Sequence, residues 1–266
     1  MSVRVLLRHH ARAHRVPLLP LALGLALFEW VMPFVAGEPS VARFLTGALR
    51  AAPPELLALL NQDLLASVSA RGIVGIGYAH PFALLMMAAW TVRVPSAALA
   101  GEMGRGTMNL VASRPVTRSS QVAAALLAVL GGLAALAAAA WLGTFAGLAM
   151  RPVAGVRALG YLPVAAALWL LFACFGTVAI LASALAREAG TAIAWMAGIL
   201  AGSYVLDYAA RVWPRIASLR PLSLFRYYEP QRVMTAGLAP LDIGVLAGVG
   251  AAALLAAFVV FARRDL

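Results

Sequence analysis

Long apolar runs, separated by shorter polar segments that contain arginine, dominate this chain. A transmembrane helix needs about 20 consecutive, mostly apolar residues. Six runs meet that requirement, and we predict spans at residues 16–37, 73–100, 122–150, 159–186, 189–208 and 241–262. The first run is longer than the apolar core of a signal peptide and contains Glu29 and Pro33, so a retained helix is favoured. The predicted fold class is all-α, a polytopic membrane protein forming a single domain over residues 1–266.

Two polar segments between the spans carry helical patterns of their own. Residues 55–65 are amphipathic at helical spacing but too polar to span, which predicts an interfacial helix after the first span. Between the second and third spans, Gly106-Thr107 can begin a short helix with Thr107 as its cap. This helix would run to Ser113 and be stopped by Pro115. A plain basic cytoplasmic loop is the alternative for the same segment.

Composition supports the membrane assignment and excludes several kinds of chemistry. The AVILMFWYC set makes up 63% of the residues and charged residues 12%, against about 45–50% and about 25% in soluble domains. All 21 basic residues are arginine. A chain without lysine can build neither a P-loop nor a Schiff base, so we expect no ATPase activity of its own. The arginines form no aromatic-interleaved stripe, and we expect no nucleic-acid partner.

The distribution of arginine gives a weak indication of topology. Six spans place both termini on one side, and ten arginines then fall on each side of the membrane. The dense groups beside the first and last spans favour cytoplasmic termini, because the first helix usually dominates orientation. These groups are Arg4, Arg8, Arg12, Arg15, Arg263 and Arg264.

Three ionisable residues fall within or near the ends of the spans. Glu29, Arg93 and Asp207 are candidates for buried charges, since burying a charge in lipid is unfavourable without a partner. We consider a Glu29–Arg93 or an Asp207–Arg93 pair, or snorkelling of all three to an interface. His80-Pro81 predicts a kink in the second span. Cys174 is expected in the core.

We predict no metal site, and we expect close packing between some of the helices. His9, His10 and His14 belong to a basic, membrane-proximal tail, which we favour over a metal site. Three small-xxx-small pairs can bring helix backbones together in lipid. They are Gly143/Gly147, Gly198/Gly202 and Gly244/Gly248.

The segment from Gly101 to Arg118 carries the most specific pattern in the chain. Its sequence, G-E-x-x-R-G-T-x-x-L-x-x-x-R-P-V-x-R, resembles the cytoplasmic segment of permease subunits in the ABC type-2 exporter family. Residues 220–230 and the ending at 261–266 are also similar to that family. The resemblance implies that this segment forms a coupling helix seated on an ATPase subunit. The coupling residues it implies are Gly101, Glu102, Arg105, Gly106, Thr107, Arg114 and Arg118.

The resemblance also implies partners and a mechanism. Two permease subunits, identical or related, would pair in the cell inner membrane and receive two copies of a separate ABC ATPase. ATP and Mg²⁺ would be bound by that partner, with no cofactor in this chain. An apolar cavity would suit a lipophilic substrate such as a lipid, drug or antibiotic. The alternatives are an ion-coupled secondary transporter, which would have broken helices and paired midplane charges, and an intramembrane enzyme, for which the motifs G-x-S-x-G and H-E-x-x-H are absent.

Overall fold

The computed structural model describes residues 3–51, 69–104 and 117–264, and within these ranges the regular structure is entirely helical. The α-helices are α1 (Val3–Ala36), α2 (Pro39–Ala51), α3 (Ala70–Ala79), α4 (Pro81–Ala98), α5 (Ala100–Gly104), α6 (Arg118–Met150), α7 (Leu162–Leu185), α8 (Ala189–Val212), α9 (Pro230–Ala236) and α10 (Pro240–Arg263). Three 3-10 helices lie at Ala158–Tyr161, Pro214–Leu222 and Leu224–Tyr227.

Six helical segments of the described chain are long and apolar enough to cross a membrane. They are Val16–Ala36, Ala70–Ala98, Arg118–Met150, Ala158–Leu185, Ala189–Val212 and Pro240–Arg263. Each overlaps one of the six predicted spans, with ends that differ by a few residues. The all-α polytopic fold is therefore confirmed.

His80-Pro81 divides the second span into α3 and α4. Proline disfavours the helical conformation in the residue before it, and His80 is extended, with φ −65° and ψ 139°. The His80 side chain then caps the new helix, since its Nδ1 accepts a hydrogen bond of 3.2 Å from the backbone N–H of Phe82. The predicted kink is thus a complete helix break.

The bundle has two ends, because successive spans run in opposite directions. We call the end of the bundle where α10 finishes the terminal end and the opposite one the distal end. The terminal end contains the end of α4, the start of α6, the end of α7, the start of α8 and the end of α10. Side chains connect four of these segments. The distal end contains the end of α1, the start of α3 and the end of α6, where the Arg151 side chain donates to Gly37 O at 3.3 Å.

The closest packing of two spans is between α1 and α6. The buried positions of α1 recur at Leu25, Glu29, Pro33 and Ala36, which is the spacing of one helix face. That face meets Gly143 and Gly147 of α6. Among the three predicted small-residue pairs, this one is confirmed as a close helix contact.

The other two small-residue pairs face outward. A Cβ added at Gly198 or Gly202 of α8, or at Gly244 or Gly248 of α10, would meet no atom within 4 Å. By contrast, most of α7 is buried, with Leu168, Leu171, Phe172 and Phe175 fully enclosed and Cys174 buried among them as expected. A helix that is apolar all round belongs in the centre of a bundle, and α7 holds that place here.

The predicted interfacial helix at residues 55–65 lies outside the described residues. The described part of the same connection forms α2, which packs beside the end of α1.

Candidate functional site

At the terminal end, Arg118 connects the start of α6 to the end of α10. Thr117 caps α6, its Oγ1 accepting a hydrogen bond of 3.3 Å from Ser120 N. The next side chain, Arg118, donates from Nη1 to Ala262 O at 2.9 Å and to Arg264 O. The last carbonyls of a helix have no partner within the helix, and a basic side chain satisfies them well. Arg118 therefore ties the start of α6 to the end of α10.

Arg264 extends this connection to α7. Its guanidinium donates to Ala184 O in the last turn of α7. Burial, together with the nearby positive charge of Arg187, lowers the pKa of Arg264 below its ordinary value. Among the described residues, Arg264 thus binds a backbone carbonyl of α7.

Ser183 joins the second span to the same group of helix ends. Its hydroxyl donates to Pro95 O at 2.7 Å and accepts from Ala100 N at 3.0 Å. We call the set Arg118, Ser183 and Arg264, with the backbone groups that they bind, the terminal clamp. The clamp unites α4, α5, α6, α7 and α10 at one end of the bundle.

The predicted coupling residues are only partly within the described chain. Gly101 is buried and Glu102 half-buried in α5, and Gly104 at the end of α5 lies against the Arg187-Glu188 turn. Arg105, Gly106, Thr107 and Arg114 lie outside the described residues, so the helix expected from Gly106 stays a prediction. Arg118 is the predicted coupling residue whose contacts are best defined.

Glu29 is completely buried, with 0% of its surface exposed. Its Oε2 accepts a hydrogen bond of 3.4 Å from Thr144 of α6, and Tyr78 shares that threonine, the two hydroxyl oxygens being 2.8 Å apart. The other carboxyl oxygen, Oε1, has no hydrogen-bond partner among the described residues. We call Glu29, Tyr78 and Thr144 the Glu29 cluster.

The predicted pairing of Arg93 with Glu29 or Asp207 is wrong. Arg93 is exposed on α4, and Asp207 binds Arg211 and Arg220 instead, each through a nitrogen at 2.9 Å. Snorkelling is also wrong for Glu29, which is enclosed by three helices. Arg211 lies one turn after Asp207 on α8, so a local i,i+4 pair binds this carboxylate in place of Arg93.

Asp207 belongs to a larger ionic network at the distal end. The network contains three acids and four arginines, namely Asp207, Glu229, Asp242, Arg211, Arg220, Arg226 and Arg232. Burial alone would lower the pKa of Arg220, but its hydrogen bonds to Asp207 and Glu229 raise that pKa above the ordinary value. The network connects the last two 3-10 helices and α9 to the end of α8 and the start of α10. Of these residues, sequence reasoning considered only Asp207 as a buried charge. The available signal was the group of five arginines in residues 211–232, with Glu229 among them and Asp207 and Asp242 on either side.

Tyr228, in the segment that the network holds, is buried against the second span. Its hydroxyl donates to Tyr78 O at 3.0 Å. Burial, with smaller effects from Glu29 and Tyr78, raises the pKa of Tyr228 well above its ordinary value near 10. The phenol is therefore a neutral hydrogen-bond donor that links the segment held by the ionic network to α3.

The fold and these clusters define a class of protein: a multi-pass membrane protein with closely packed helices, a buried acidic cluster and side-chain contacts between helix ends. Within the described residues, no group of three or more His, Cys, Asp or Glu side chains could hold a metal ion. Residues 26–266 match the family described as ABC-2 family transporter protein. The chain belongs to this family and is a permease of the ABC-2 type. No curated protein matches the chain significantly.

Proposed function

We propose that the chain is the membrane subunit of an ATP-driven exporter in the cell inner membrane, with ATP hydrolysed by a separate subunit. The family match over residues 26–266 carries this proposal. Proteins of this family are membrane-embedded and generally work with an ATPase subunit. The lack of lysine agrees, since a P-loop needs one to reach the phosphates of ATP.

The ATPase would dock at the terminal end of the bundle, on the segment from Gly101 to Arg118. Both chain termini would then be cytoplasmic. Glu102, Arg105, Gly106, Thr107 and Arg114 would contact the ATPase or brace the coupling helix. The terminal clamp supports this assignment, because Arg118 is the last residue of the segment and binds the end of α10.

Transport would proceed by alternating access. Two permease subunits would pair, and two ATPase copies would close on ATP and Mg²⁺ and displace the coupling segments. Through the clamp, that displacement would reach α6, α7 and α10 together, which is how a packed bundle changes between two discrete arrangements. A substrate path lined by alanine, leucine, valine and aromatic side chains would suit a lipophilic molecule.

The test is a Glu102→Ala, Arg105→Ala double variant of the full chain, purified by an affinity tag from the cells that naturally produce it. Co-eluting Mg²⁺-dependent ATPase activity is measured, with gel filtration to show that the bundle is still folded. Arg157→Ala is the control, because Arg157 is exposed at the other end of the bundle.

We expect the double variant to lose most of the co-eluting ATPase activity and Arg157→Ala to keep it. Unchanged ATPase activity in a folded double variant would contradict the coupling assignment.

A further inference from the structure

The Glu29 cluster is the most unusual chemical environment among the described residues. Glu29 lies seven residues before the end of α1, which places it about 10 Å from that helix end at 1.5 Å per residue. It is enclosed by α1, α3 and α6, and none of its surface reaches solvent. A carboxylate in such a position requires a cation or several hydrogen-bond donors.

The described residues supply neither of these. No arginine forms an ion pair with Glu29, and the arginine of the neighbouring helix, Arg71, donates instead to Met234 O. One long hydrogen bond from Thr144 reaches Oε2, and none reaches Oε1. An ionised carboxylate is therefore strongly unfavourable in this arrangement.

The backbone of α3 also closes one side of the Glu29 carboxyl group to a larger cation. A Cβ added at Gly77 of α3 would lie 2.5 Å from Glu29 Oε2 and 2.8 Å from Oε1. The carboxyl group thus packs directly on the backbone of α3. A metal ion needs several oxygen ligands around it, and the helix backbone occupies that space. A proton is the cation that fits.

The other ionisable groups near the cluster do not neutralise the Glu29 carboxyl group. Ionisable groups on the elements around the cluster include Arg71 and Tyr78 of α3, His80 between α3 and α4, Tyr161 before α7, and Tyr228. Tyr161 stacks on Tyr78 with ring centroids 6.1 Å apart and donates to Arg71 O at 2.8 Å. His80 lies beside Phe28, ring centroids 5.0 Å apart, and accepts from Phe82 N. Each of these groups other than Tyr78 is engaged away from the Glu29 carboxyl.

We propose that Glu29 is a proton-binding site inside the membrane domain. Its carboxyl group holds a proton while α1, α3 and α6 are packed together, and releases that proton to water when this seam opens. The O–H bond is the one bond made and broken, and the proton leaves as hydronium. The packed arrangement binds one proton more than the opened arrangement, so raising the pH favours opening.

Infrared spectroscopy of the full chain in lipid nanodiscs tests the proposal. The C=O stretch of a protonated carboxylic acid is separate from that of a carboxylate and shifts in D₂O. Glu29→Gln removes the acid while keeping its shape, and Glu38→Gln removes an exposed carboxyl just beyond the same helix. An exposed glutamate ionises near about pH 4.3, so an acid band at neutral pH marks a buried proton site.

We expect the wild-type chain and Glu38→Gln to show the carboxylic-acid band from about pH 6 to about pH 8, and Glu29→Gln to lack it. We also expect the apparent unfolding temperature to fall with pH over this range in the wild type and to fall less in Glu29→Gln. A spectrum with no acid band at neutral pH, or a band that persists in Glu29→Gln, would overturn the proposal. If Glu29→Gln does not fold, the absence of the acid band from the wild-type spectrum at about pH 7 still overturns the proposal.

Discussion

Gly143 of α6 lies directly on the carbonyl of Ala26 in α1, and a Cβ added at Gly143 would overlap that oxygen. The obstacle is backbone, which cannot rotate away as a side chain can. Forcing an extra carbon into a packed interface costs about 1–3 kcal/mol. We therefore predict that Gly143→Ala separates α1 from α6 and lowers the apparent unfolding temperature in detergent.

Gly198→Ala is the matched control, since nothing lies within 4 Å of the added carbon. It should leave the unfolding temperature unchanged or raise it slightly, because alanine is the better helix former. Equal behaviour of the two variants would show that the seam between α1 and α6 is looser than described.

The terminal clamp predicts a local effect of Arg118→Gln. Removing the guanidinium takes away the donor to Ala262 O and Arg264 O. Hydrogen bonds from charged groups contribute about 1.5–3 kcal/mol, and partial exposure reduces this to about 1 kcal/mol. We expect about fivefold faster amide hydrogen exchange in the last turn of α10, measured by mass spectrometry. Arg157→Ala should leave that exchange unchanged. If exchange is also unchanged in Arg118→Gln, Arg118 does not hold the end of α10.

The distal network predicts that Asp207→Asn loosens the segment after α8. Arg211 and Arg220 would lose their shared carboxylate while remaining largely enclosed, with 29% and 21% of their side chains exposed. Breaking a fully buried pair costs about 3–5 kcal/mol, and this exposure reduces the expected value to about 1–2 kcal/mol. We expect faster tryptic cleavage at the exposed Arg215, measured by peptide mass spectrometry. Glu38→Gln is the charge-matched control, and equal cleavage in both variants would contradict a structural role of the network.

The burial of Tyr228 predicts that the folded chain loses stability at high pH. Burial raises the pKa of its phenol well above 10 in the folded chain, whereas in the unfolded chain it ionises near about 10. The folded state then retains a proton that the unfolded state releases, so the stability from this group is complete below about pH 10 and declines above it. Between about pH 9 and about pH 11, the apparent unfolding temperature should fall less in Tyr228→Phe than in the wild type. In Tyr208→Phe, which changes an exposed tyrosine, the apparent unfolding temperature should fall as steeply as in the wild type. An equally steep fall in Tyr228→Phe would refute this prediction.

The fold was largely predictable because lipid imposes one simple requirement, a run of about 20 apolar residues per span. The helix break at His80 followed in the same way from local chemistry, since proline restricts the residue before it. Pairing of side chains was not predictable from the same pattern. A pair of Arg93 with Glu29 or Asp207 was one of the arrangements that the sequence left open, but Arg93 lies on the exposed side of α4 and Asp207 binds a neighbour one turn away.

The small-residue pairs illustrate the same limit. Gly143/Gly147 and Gly198/Gly202 have identical spacing, yet one pair is enclosed by α1 and the other faces outward. Spacing determines that two glycines share a helix face, whereas the arrangement of the whole bundle determines what that face meets. Arg118 was predicted from a family resemblance, and its contact with α10 requires the three-dimensional arrangement.

Photolabelling with azido-ATP tests the central claim most directly, that this permease uses ATP bound by another subunit. The tagged full chain is purified from the cells that naturally produce it, illuminated with the labelled nucleotide and Mg²⁺, and separated by mass. We predict label on a co-purifying polypeptide, displaced by unlabelled ATP, and none on the 27.7 kDa chain. Label on the chain itself, or transport by the purified chain without any ATP-binding partner, would contradict the account.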